Sequence, residues 1–366
     1  MKKTLLLAVA MLIAGATTAQ NQMATLDNNG TVTVYYGEMA LHQAMHAAQD
    51  SAVITLSSGH FILDGNPQYI STTVTIRGNG FEEDTLAGTQ PTIIDTRSSA
   101  YLHVWASGNT MVFEGIRFKA NSVNGCAMRI HDKFILNKCY VEQLTLYRTN
   151  CAGSIIRDCI IDSMYCDYPG PGNDLVITNS VITYMTGEYG EMQVLNSIVG
   201  VDSNAVKHSA TTFGDCVLMR RSNDVVPYPQ TNCYRCIGIG FGSNFFADLP
   251  DYRTVSALTG ADLATALTGA DTSHYNYNFS AIANEQPYVL DAYRGEWYYP
   301  ATDYHGLGIT GGNYMQSLVH GGMLYQGMYP YNPNVNRPRF VRCDVAPVTT
   351  QDGKLSVNIQ VVNTED

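Results

Sequence analysis

Short apolar runs separated by turns recur along the chain from Phe113 to Gly240. The equivalent position in successive repeats is held in turn by Ile116, Cys139, Cys159, Ser180, Ser197, Cys216 and Cys236. Around most of these positions an Asn or Asp comes first, then one small residue and then two aliphatic residues. These positions span 120 residues in six steps, a mean of 20 residues per repeat. A fixed period in this range is typical of a solenoid, in which each repeat buries its apolar face against its neighbours.

The apolar runs are three to five residues long and rich in Ile and Val, as in 134–136, 154–156 and 175–177, which favours strands over helices. Two or three strands with their turns fill one coil of a parallel β-helix, whose coils stack at about 4.8 Å. A leucine-rich repeat has a similar period but requires Leu at fixed positions, where this chain has Ile, Val, Cys and Ser. We therefore predict an all-β fold, a right-handed single-stranded parallel β-helix. The small side chains face inward, and Asn or Asp occupies a tight turn.

The regions outside the repeat predict the domain organisation. Residues 1–19 have the pattern of a signal peptide, with Lys2 and Lys3 before an apolar run and small residues at its end. Residues 20–50 contain an alternating first strand at 31–36 and a short amphipathic helix. We expect this helix to cap the β-helix of residues 51–245, with Met39 and Leu41 covering its open end.

The C-terminal third departs from the repeat. Residues 246–330 are rich in Tyr and Gly, which predicts an irregular section or continued β-helix coils. Residues 331–366 begin with a Pro-rich linker and then predict a strand pair with an Asp352-Gly353 turn, which serves as a cap or a small module.

The N-terminal text also resembles a known family. The helix pattern, the run "ITLSSGHF" at 54–61 and the run "VTIRGNG" at 74–80 are similar to the opening of secreted β-helix proteins of the pectate-lyase-like superfamily. The matching residues are Leu41, Ala44, Ala48, Ile54, Leu56, Gly59, Phe61, Thr75, Ile76, Gly78 and Gly80. Residues 112–118 resemble the coil that often follows, and the C-terminal segment is similar to the tails of exported proteins of Bacteroidota-type bacteria. The resemblance covers residues 31–240 and implies a fold. It implies no single activity, because the superfamily includes lyases, hydrolases, adhesins and proteins without known activity.

Charge and cysteine content limit the partners. The formal net charge of −11 disfavours nucleic acid and weakly disfavours polyanions, although a local basic patch can override it. No stretch after the signal is apolar enough to span a membrane. We interpret most of the nine cysteines as buried thiols, with one or two disulfides among residues such as Cys151 and Cys166 as the alternative. No metal site or cofactor is predicted, and calcium enters only if the protein is a lyase.

The strongest candidates for catalysis are basic residues near the end of the repeat. Lys207 and His208 precede a coil that ends with Arg220 and Arg221, and the spacing stacks Asp202 beside Arg221. Cleavage of a uronate polysaccharide by a lyase needs a cation beside the carboxylate and a base for the C5 proton. The alternative, which we favour, is a salt bridge between coils and a solvated loop. His131 with Asp132, and Asp158 with Asp162, are candidates by residue type only. We favour a turn role for Asp158 and a structural or solvated role for His131.

The aromatic segment offers a second kind of site. Tyr293, Trp297, Tyr298, Tyr299 and Tyr304 could stack on sugar rings, although aromatic side chains that merely cover the flank of a sheet are the simpler interpretation. No lyase or polygalacturonase signature is visible in the repeat. We therefore expect an exported, non-catalytic protein of the periplasm, cell surface or exterior that binds a polysaccharide or cell-surface glycan, or one with a purely structural role. A polysaccharide lyase or glycosidase acting on an acidic polysaccharide is the alternative.

Overall fold

The structure is a computed structural model, which describes residues 22–63, 68–83, 90–96, 102–105, 109–120, 127–146, 152–166, 174–187, 192–195, 197–201, 211–214, 216–220, 232–234, 237–239, 252–255, 276–279, 289–291, 296–298, 339–345 and 357–362. Its helix α1 spans Ala40–Ala47. The strands up to residue 130 are β1 Met23–Asn28, β2 Thr31–Tyr36, β3 Ala52–Leu56, β4 Gly59–Ile62, β5 Gln68–Ile70, β6 Val74–Arg77, β7 Thr92–Asp95, β8 Leu102–Val104, β9 Met111–Glu114, β10 Arg117–Lys119 and β11 Met128–Ile130. The strands from residue 134 to 239 are β12 Phe134–Asn137, β13 Tyr140–Leu146, β14 Ile155–Arg157, β15 Ile160–Cys166, β16 Leu175–Thr178, β17 Val181–Gly187, β18 Met192–Leu195, β19 Ile198–Val201, β20 Thr211–Gly214, β21 Val217–Arg220, β22 Asn232–Tyr234 and β23 Ile237–Ile239. The remaining strands are β24 Tyr252–Val255, β25 Asn276–Phe279, β26 Val289–Asp291, β27 Glu296–Tyr298, β28 Arg339–Val345 and β29 Val357–Val362.

Two long sheets carry the coils of the solenoid. Sheet 1 has 11 strands in the order β2-β1-β3-β6-β9-β12-β14-β16-β18-β20-β22, and sheet 2 has 14 strands along the path β24-β25-β23-β21-β19-β17-β15-β13-β10-β7-β4, with β11, β8 and β5 as a branch. From β3 onward the strands within each of these sheets pair in parallel, for example β12 with β9 and β14 in sheet 1 and β13 with β10 and β15 in sheet 2. This topology confirms the prediction of an all-β parallel β-helix.

The predicted tight turn joins sheet 1 to sheet 2 in successive coils. Gly115, Lys138, Asp158 and Asn179 all have positive φ, between 47° and 65°. Lys138, Asp158 and Asn179 directly precede the small residue of the repeat, and Gly115 precedes Ile116 at the equivalent position. A single left-handed residue turns the chain sharply, and Gly, Asn and Asp tolerate this conformation best. The interpretation of Asp158 as a turn residue is therefore confirmed.

The small residues of the repeat face the interior, as predicted. Cys139, Cys159 and Cys216 are 0% exposed and are free thiols, while Ser180 and Ser197 are 2% and 1% exposed. We call these five residues the inner column. The interpretation as buried thiols is confirmed for its three cysteines. Cys151 lies outside the described residues, and Cys166 is described only as the last residue of β15.

Sheet 2 divides into two arms at β13. β10 pairs with the first part of β13, where Arg117 lies opposite Tyr140, and β11 pairs with the last part, where Met128 lies opposite Leu144. The first arm contains β10, β7 and β4, and the second arm contains β11, β8 and β5. The outer surfaces of the two arms carry the clusters of polar side chains described below.

The N-terminal region corrects one expectation. The strand at 31–36 is the second strand rather than the first, because β1 precedes it and pairs with it antiparallel. Asn29 and Gly30, both with positive φ, form the two-residue hairpin turn that this dipeptide favours. β1 also pairs antiparallel with β3, so the hairpin extends sheet 1. Ala40, Leu41 and Ala44 of α1 belong to the hydrophobic core, and the capping role of this helix remains a prediction.

The chain beyond residue 245 contributes further strands. β25 pairs in parallel with β23 and also with β24, so sheet 2 continues into the Tyr/Gly-rich section. β28 and β29 pair antiparallel, which confirms the predicted C-terminal strand pair. Its Asp352-Gly353 turn lies outside the described residues.

Candidate functional site

The second arm of sheet 2 presents an outward row of side chains that crosses the coils. Strand register aligns His103 with Arg129, Arg129 with Thr145, Thr145 with Tyr165, and Tyr165 with Thr186. We call these five residues the outer row. Their strand neighbours Leu102, Val104, Met128, Ile130, Leu144, Leu146, Met164 and Met185 are buried in the core. Because successive side chains of a strand point to opposite faces, the outer row faces away from the core.

The parallel ladder continues one residue beyond β8 and β11. The Trp105 N–H donates to the Ile70 carbonyl, and the His131 N–H donates to the Val104 carbonyl, both at 2.9 Å. These bonds bring the indole of Trp105 next to the imidazole of His131, with ring centroids 5.2 Å apart and an interplanar angle of 14°. The backbone therefore holds an aromatic pair on the outer surface of two adjacent coils.

A second imidazole completes the group. His103 stacks on His131 with centroids 5.2 Å apart and an interplanar angle of 19°, and its Nδ1 lies 3.0 Å from His131 Nε2. We call His103, Trp105, Arg129 and His131 the ring cluster. Trp105 is 53% exposed, so about half of this residue stays accessible to solvent even though His131 stacks against its indole. The cluster therefore combines a half-open indole with polar ring atoms and a guanidinium.

The electrostatics of the ring cluster favour neutral imidazoles. Burial lowers the pKa of His103 to about 4, and positive charge on His131 and Arg129 adds to the effect. Burial also lowers the pKa of His131, an effect that Asp132 opposes and Arg129 reinforces. Within the close contact of two neutral rings, one nitrogen donates and the other accepts. At neutral pH the ring cluster therefore carries its positive charge on the Arg129 guanidinium.

This combination of groups fits recognition of a carbohydrate. An indole face or edge provides apolar contact area for a sugar ring, while imidazole nitrogens can exchange hydrogen bonds with hydroxyl groups. Arg129 adds a donor that also suits a carboxylate or sulfate substituent. A neutral imidazole can in addition accept a proton, which is the property required of a general base.

The first arm carries a different polar cluster, in which ion pairs and hydrogen bonds connect neighbouring coils. His60 Nε2 lies 2.9 Å from Asp95 Oδ2, and Arg117 Nη2 lies 3.3 Å from Glu142 Oε1. Glu142 Oε2 also accepts a hydrogen bond from the Ala120 N–H. Their mutual contacts favour a role in holding adjacent coils together.

Tyr140 is a buried member of this cluster. Its hydroxyl donates to Asp162 Oδ2 at 2.6 Å, and the guanidinium carbon of Arg117 lies 4.6 Å from its ring centroid. Burial, the Asp162 charge and the hydrogen bond together raise the pKa of Tyr140 far above its usual range. Tyr140 therefore stays protonated and positions Asp162, which sequence reasoning singled out by residue type alone.

The outer face of sheet 1 also carries a ladder of paired side chains. Arg77 forms an ion pair with Glu114 at 3.4 Å, the Asn137 amide donates to Glu114 at 3.1 Å, and Arg157 donates to Asn137 at 3.2 Å. The members of this ladder satisfy one another, which is the pattern of a structural brace.

The structure does not test the basic candidates for catalysis that the sequence predicts, because their side chains lie outside the described residues. Lys207, His208 and Arg221 lie outside them. Arg220 is the last residue of β21, where it pairs with Val201 of β19, and its side chain lies outside the description. A catalytic role for Lys207, His208, Arg220 or Arg221 thus stays a prediction.

The predicted aromatic platform also lies mostly outside the described residues. Tyr293, Tyr299 and Tyr304 fall outside, and Trp297 and Tyr298 are described only as backbone in β27, paired with Leu290 and Val289. Sequence reasoning did not single out Trp105, His103 or Arg129. The available signal was that Trp105 is one of only two tryptophans in the chain.

Within the residues that the structure describes, no group of three or more His, Cys, Asp or Glu side chains could hold a metal ion. The same part of the chain contains no helix long and apolar enough to cross a membrane. Comparison of the chain with family models, curated proteins and solved structures found no match. The resemblance to the pectate-lyase-like superfamily therefore remains a prediction.

Proposed function

We propose that this protein binds a polysaccharide or cell-surface glycan through the outer surface of sheet 2, with the ring cluster as the centre of the site. The observation that carries the proposal is the half-exposed Trp105, held in a ring stack beside Arg129. An aromatic ring held in place in this way can bind a sugar through apolar ring contacts. Export, which residues 1–19 predict, would bring the site into contact with extracellular or periplasmic glycans.

The outer row extends the proposed site beyond the ring cluster. Tyr165 lies two coils beyond Arg129 in the same register and is 39% exposed. Because coils stack at about 4.8 Å, an extended ligand can contact Trp105 and Tyr165 together. A polymer gains affinity from several such contacts, whereas a monosaccharide reaches only one of them. The proposed ligand is therefore an oligomer or polymer.

The test measures binding of the protein to a panel of neutral and acidic polysaccharides by titration calorimetry. Trp105→Ala should weaken binding to the recognised polysaccharide by about tenfold or more, because it removes the apolar contact area. Trp105→Phe keeps an aromatic ring and should retain part of the affinity. Arg129→Gln should weaken binding of acidic polysaccharides more than that of neutral ones.

Ile155→Ala serves as the matched control for the loss of an exposed apolar side chain. Ile155 is 36% exposed and lies on β14 of sheet 1, away from the ring cluster. This variant should bind as tightly as the parent protein. Equal weakening by Ile155→Ala and Trp105→Ala, or no binding to any polysaccharide of the panel, would contradict the proposal and leave the purely structural role.

An enzyme that cleaves the same polysaccharide is the second candidate. The contact of His103 with His131 favours it, since two imidazoles with lowered pKa beside Arg129 provide a base and a cation. Lyase action on a uronate polysaccharide leaves a double bond that absorbs ultraviolet light. Absorbance that rises with the parent protein and not with His103→Gln would favour this candidate, whether or not calcium is added. Binding without any rise, and without new reducing ends, leaves the non-catalytic function.

A further inference from the structure

The edge strand β2 has the features of an interface between two copies of the chain. Among the described strands it pairs with β1 alone, and none of its six residues carries a charge. Natural edge strands are usually protected by Lys, Pro, a bulge or a covering element. β2 contains no Lys or Pro, and its six pairs with β1 run without a register shift. The edge is therefore open to pairing with another strand.

Exposed apolar side chains concentrate on this hairpin. Seven large hydrophobic residues are exposed among the described residues, and four of them are Met23, Val32, Val34 and Tyr36. Val32, Val34 and Tyr36 are 60%, 39% and 65% exposed and alternate along β2, so they share one face. This concentration of apolar surface favours association with a partner.

The other sheet is covered at the same end of the molecule. The N–H of Ile62 in β4 donates to the Glu38 carbonyl, and the Gln22 side chain donates to the His60 carbonyl. The helix α1 packs near β1, β2 and β3 of sheet 1 as well as near β4. The two edges therefore differ in their hydrogen bonds: β4 is bonded to groups of the same chain, whereas the described residues form no hydrogen bond with the backbone on the outer side of β2.

Backbone geometry decides which groups of β2 are available. The Gly37 N–H donates to the Gln22 carbonyl at 2.9 Å, which makes this a hydrogen-bonded pair of the antiparallel ladder. Hydrogen-bonded and non-hydrogen-bonded pairs alternate, so Thr31, Thr33 and Tyr35 point their backbone groups toward β1. The N–H and C=O groups of Val32, Val34 and Tyr36 consequently point away from β1, toward the open edge.

We propose that β2 pairs antiparallel with β2 of a second copy about a two-fold axis at Val34. In this register Val34 faces Val34 of the second copy, and Val32 faces Tyr36 in both directions. All three positions then exchange backbone hydrogen bonds, and the apolar residues meet as β-branched and aromatic cross-strand pairs. A two-fold interface closes on itself, so the product is a dimer and not a fibre.

The net charge of the chain and the small area of the interface indicate how strongly two copies associate. The chain has a net charge of −11, and the uncharged β2 is a place where two copies can meet with little repulsion. One strand pair buries less surface than the roughly 1,200 Å² of a stable interface. The dimer should therefore be reversible and depend on protein concentration.

Sedimentation equilibrium of the purified protein over a range of concentrations tests the proposal. The parent protein should show a monomer–dimer equilibrium, and Val34→Lys should weaken association at least tenfold, because it places two like charges on the axis. Ile155→Lys is the matched control: Ile155 is also exposed in sheet 1, but β14 has paired neighbours on both sides, so dimerisation should not change. Thermal melting checks that both variants are folded.

A second variant tests the register. Hydrogen-bonded antiparallel pairs have Cα atoms about 5.5 Å apart, a separation that a disulfide spans. Mild oxidation of Val34→Cys should therefore give a dimer whose crosslink joins the two residues at position 34, identified by peptide mass mapping. A parent protein that stays monomeric at every concentration overturns the proposal. A dimer that persists in Val34→Lys, or a Val34→Cys protein that forms no such crosslink, overturns it as well.

Discussion

The inner column and the outer row are stacked by the same coils but follow opposite rules. In the inner column one interaction repeats: the Cys139 N–H donates to Cys159 Sγ at 3.4 Å, and the Cys159 N–H donates to Ser180 Oγ at 3.2 Å. Each side chain also donates to the carbonyl two residues before it, as Cys159 Sγ does to Arg157 O at 3.1 Å. In the outer row successive coils present His103, Arg129, Thr145, Tyr165 and Thr186, so the residue type changes from each coil to the next.

This difference indicates that the residues of the inner column are required by the fold, whereas those of the outer row are available to bind a ligand. From Cys139 onward the inner column holds small side chains that both accept and donate a hydrogen bond, and Cys and Ser satisfy this condition in one coil after another. The outer row does not follow this rule, since it holds His, Arg, Thr and Tyr side chains that differ in size and charge. Side chains that differ from coil to coil and gather into a cluster therefore point to binding.

The largest expected effect comes from placing a bulky charge in the inner column. Cys159 is 0% exposed, so Cys159→Arg should lower the free energy of unfolding by more than about 4 kcal/mol, through overpacking and a buried charge without a partner. Urea unfolding followed by circular dichroism measures the change. Ile155→Arg introduces the same side chain on an exposed position of the same coil and should stay within about 0.5 kcal/mol of the parent. Similar stability of the two variants would show that the inner column does not limit the fold.

The same contrast explains what sequence reasoning could predict. The period of about 20 residues, the Asn/Asp turn and the inward Cys/Ser position were visible because each recurs in successive coils. The ring cluster was not visible, because His103 and His131 meet only through strand register. The segments between β8, β11 and β13 contain different numbers of residues and of strands, and therefore no fixed spacing in the sequence relates Trp105 to Arg129. The hairpin strand β1 was missed because its partner β2 shows the clearer alternation.

A smaller effect distinguishes hydrogen bonding from size in the inner column. Cys159→Ala removes the acceptor of the buried Cys139 N–H and should cost about 1–3 kcal/mol. Cys159→Ser keeps an acceptor and a donor, as Ser180 and Ser197 do in the neighbouring coils, and should cost less than Cys159→Ala. Urea unfolding of the two variants under identical conditions measures the difference. If Ala and Ser were equally tolerated, the small size of the position alone would explain the repeat.

The smallest expected effect concerns the outer row and appears as a pH dependence. The pKa of His103 falls from 6.5 to about 4 on folding, so between these values the unfolded chain binds more protons. The stability contributed by neutral His103 is therefore complete above pH 6.5 and is lost as the pH falls toward 4. His103 is only partly buried, and screening by water limits the contribution to about 1 kcal/mol or less.

The measurement compares urea unfolding of the parent protein and His103→Gln near neutral pH and at mildly acidic pH. Arg129, His131 and Asp132 contribute to the electrostatics of this cluster in both proteins, so the difference between the two curves isolates His103. His103→Gln should lose less stability on acidification than the parent, because an amide cannot take up the proton. Parallel pH profiles would mean that His103 titrates as it does in the unfolded chain. Folding would then not change the protonation of His103, and this residue of the outer row would contribute no pH-dependent stability. Ligand binding would remain as the property that distinguishes it from the residues of the inner column.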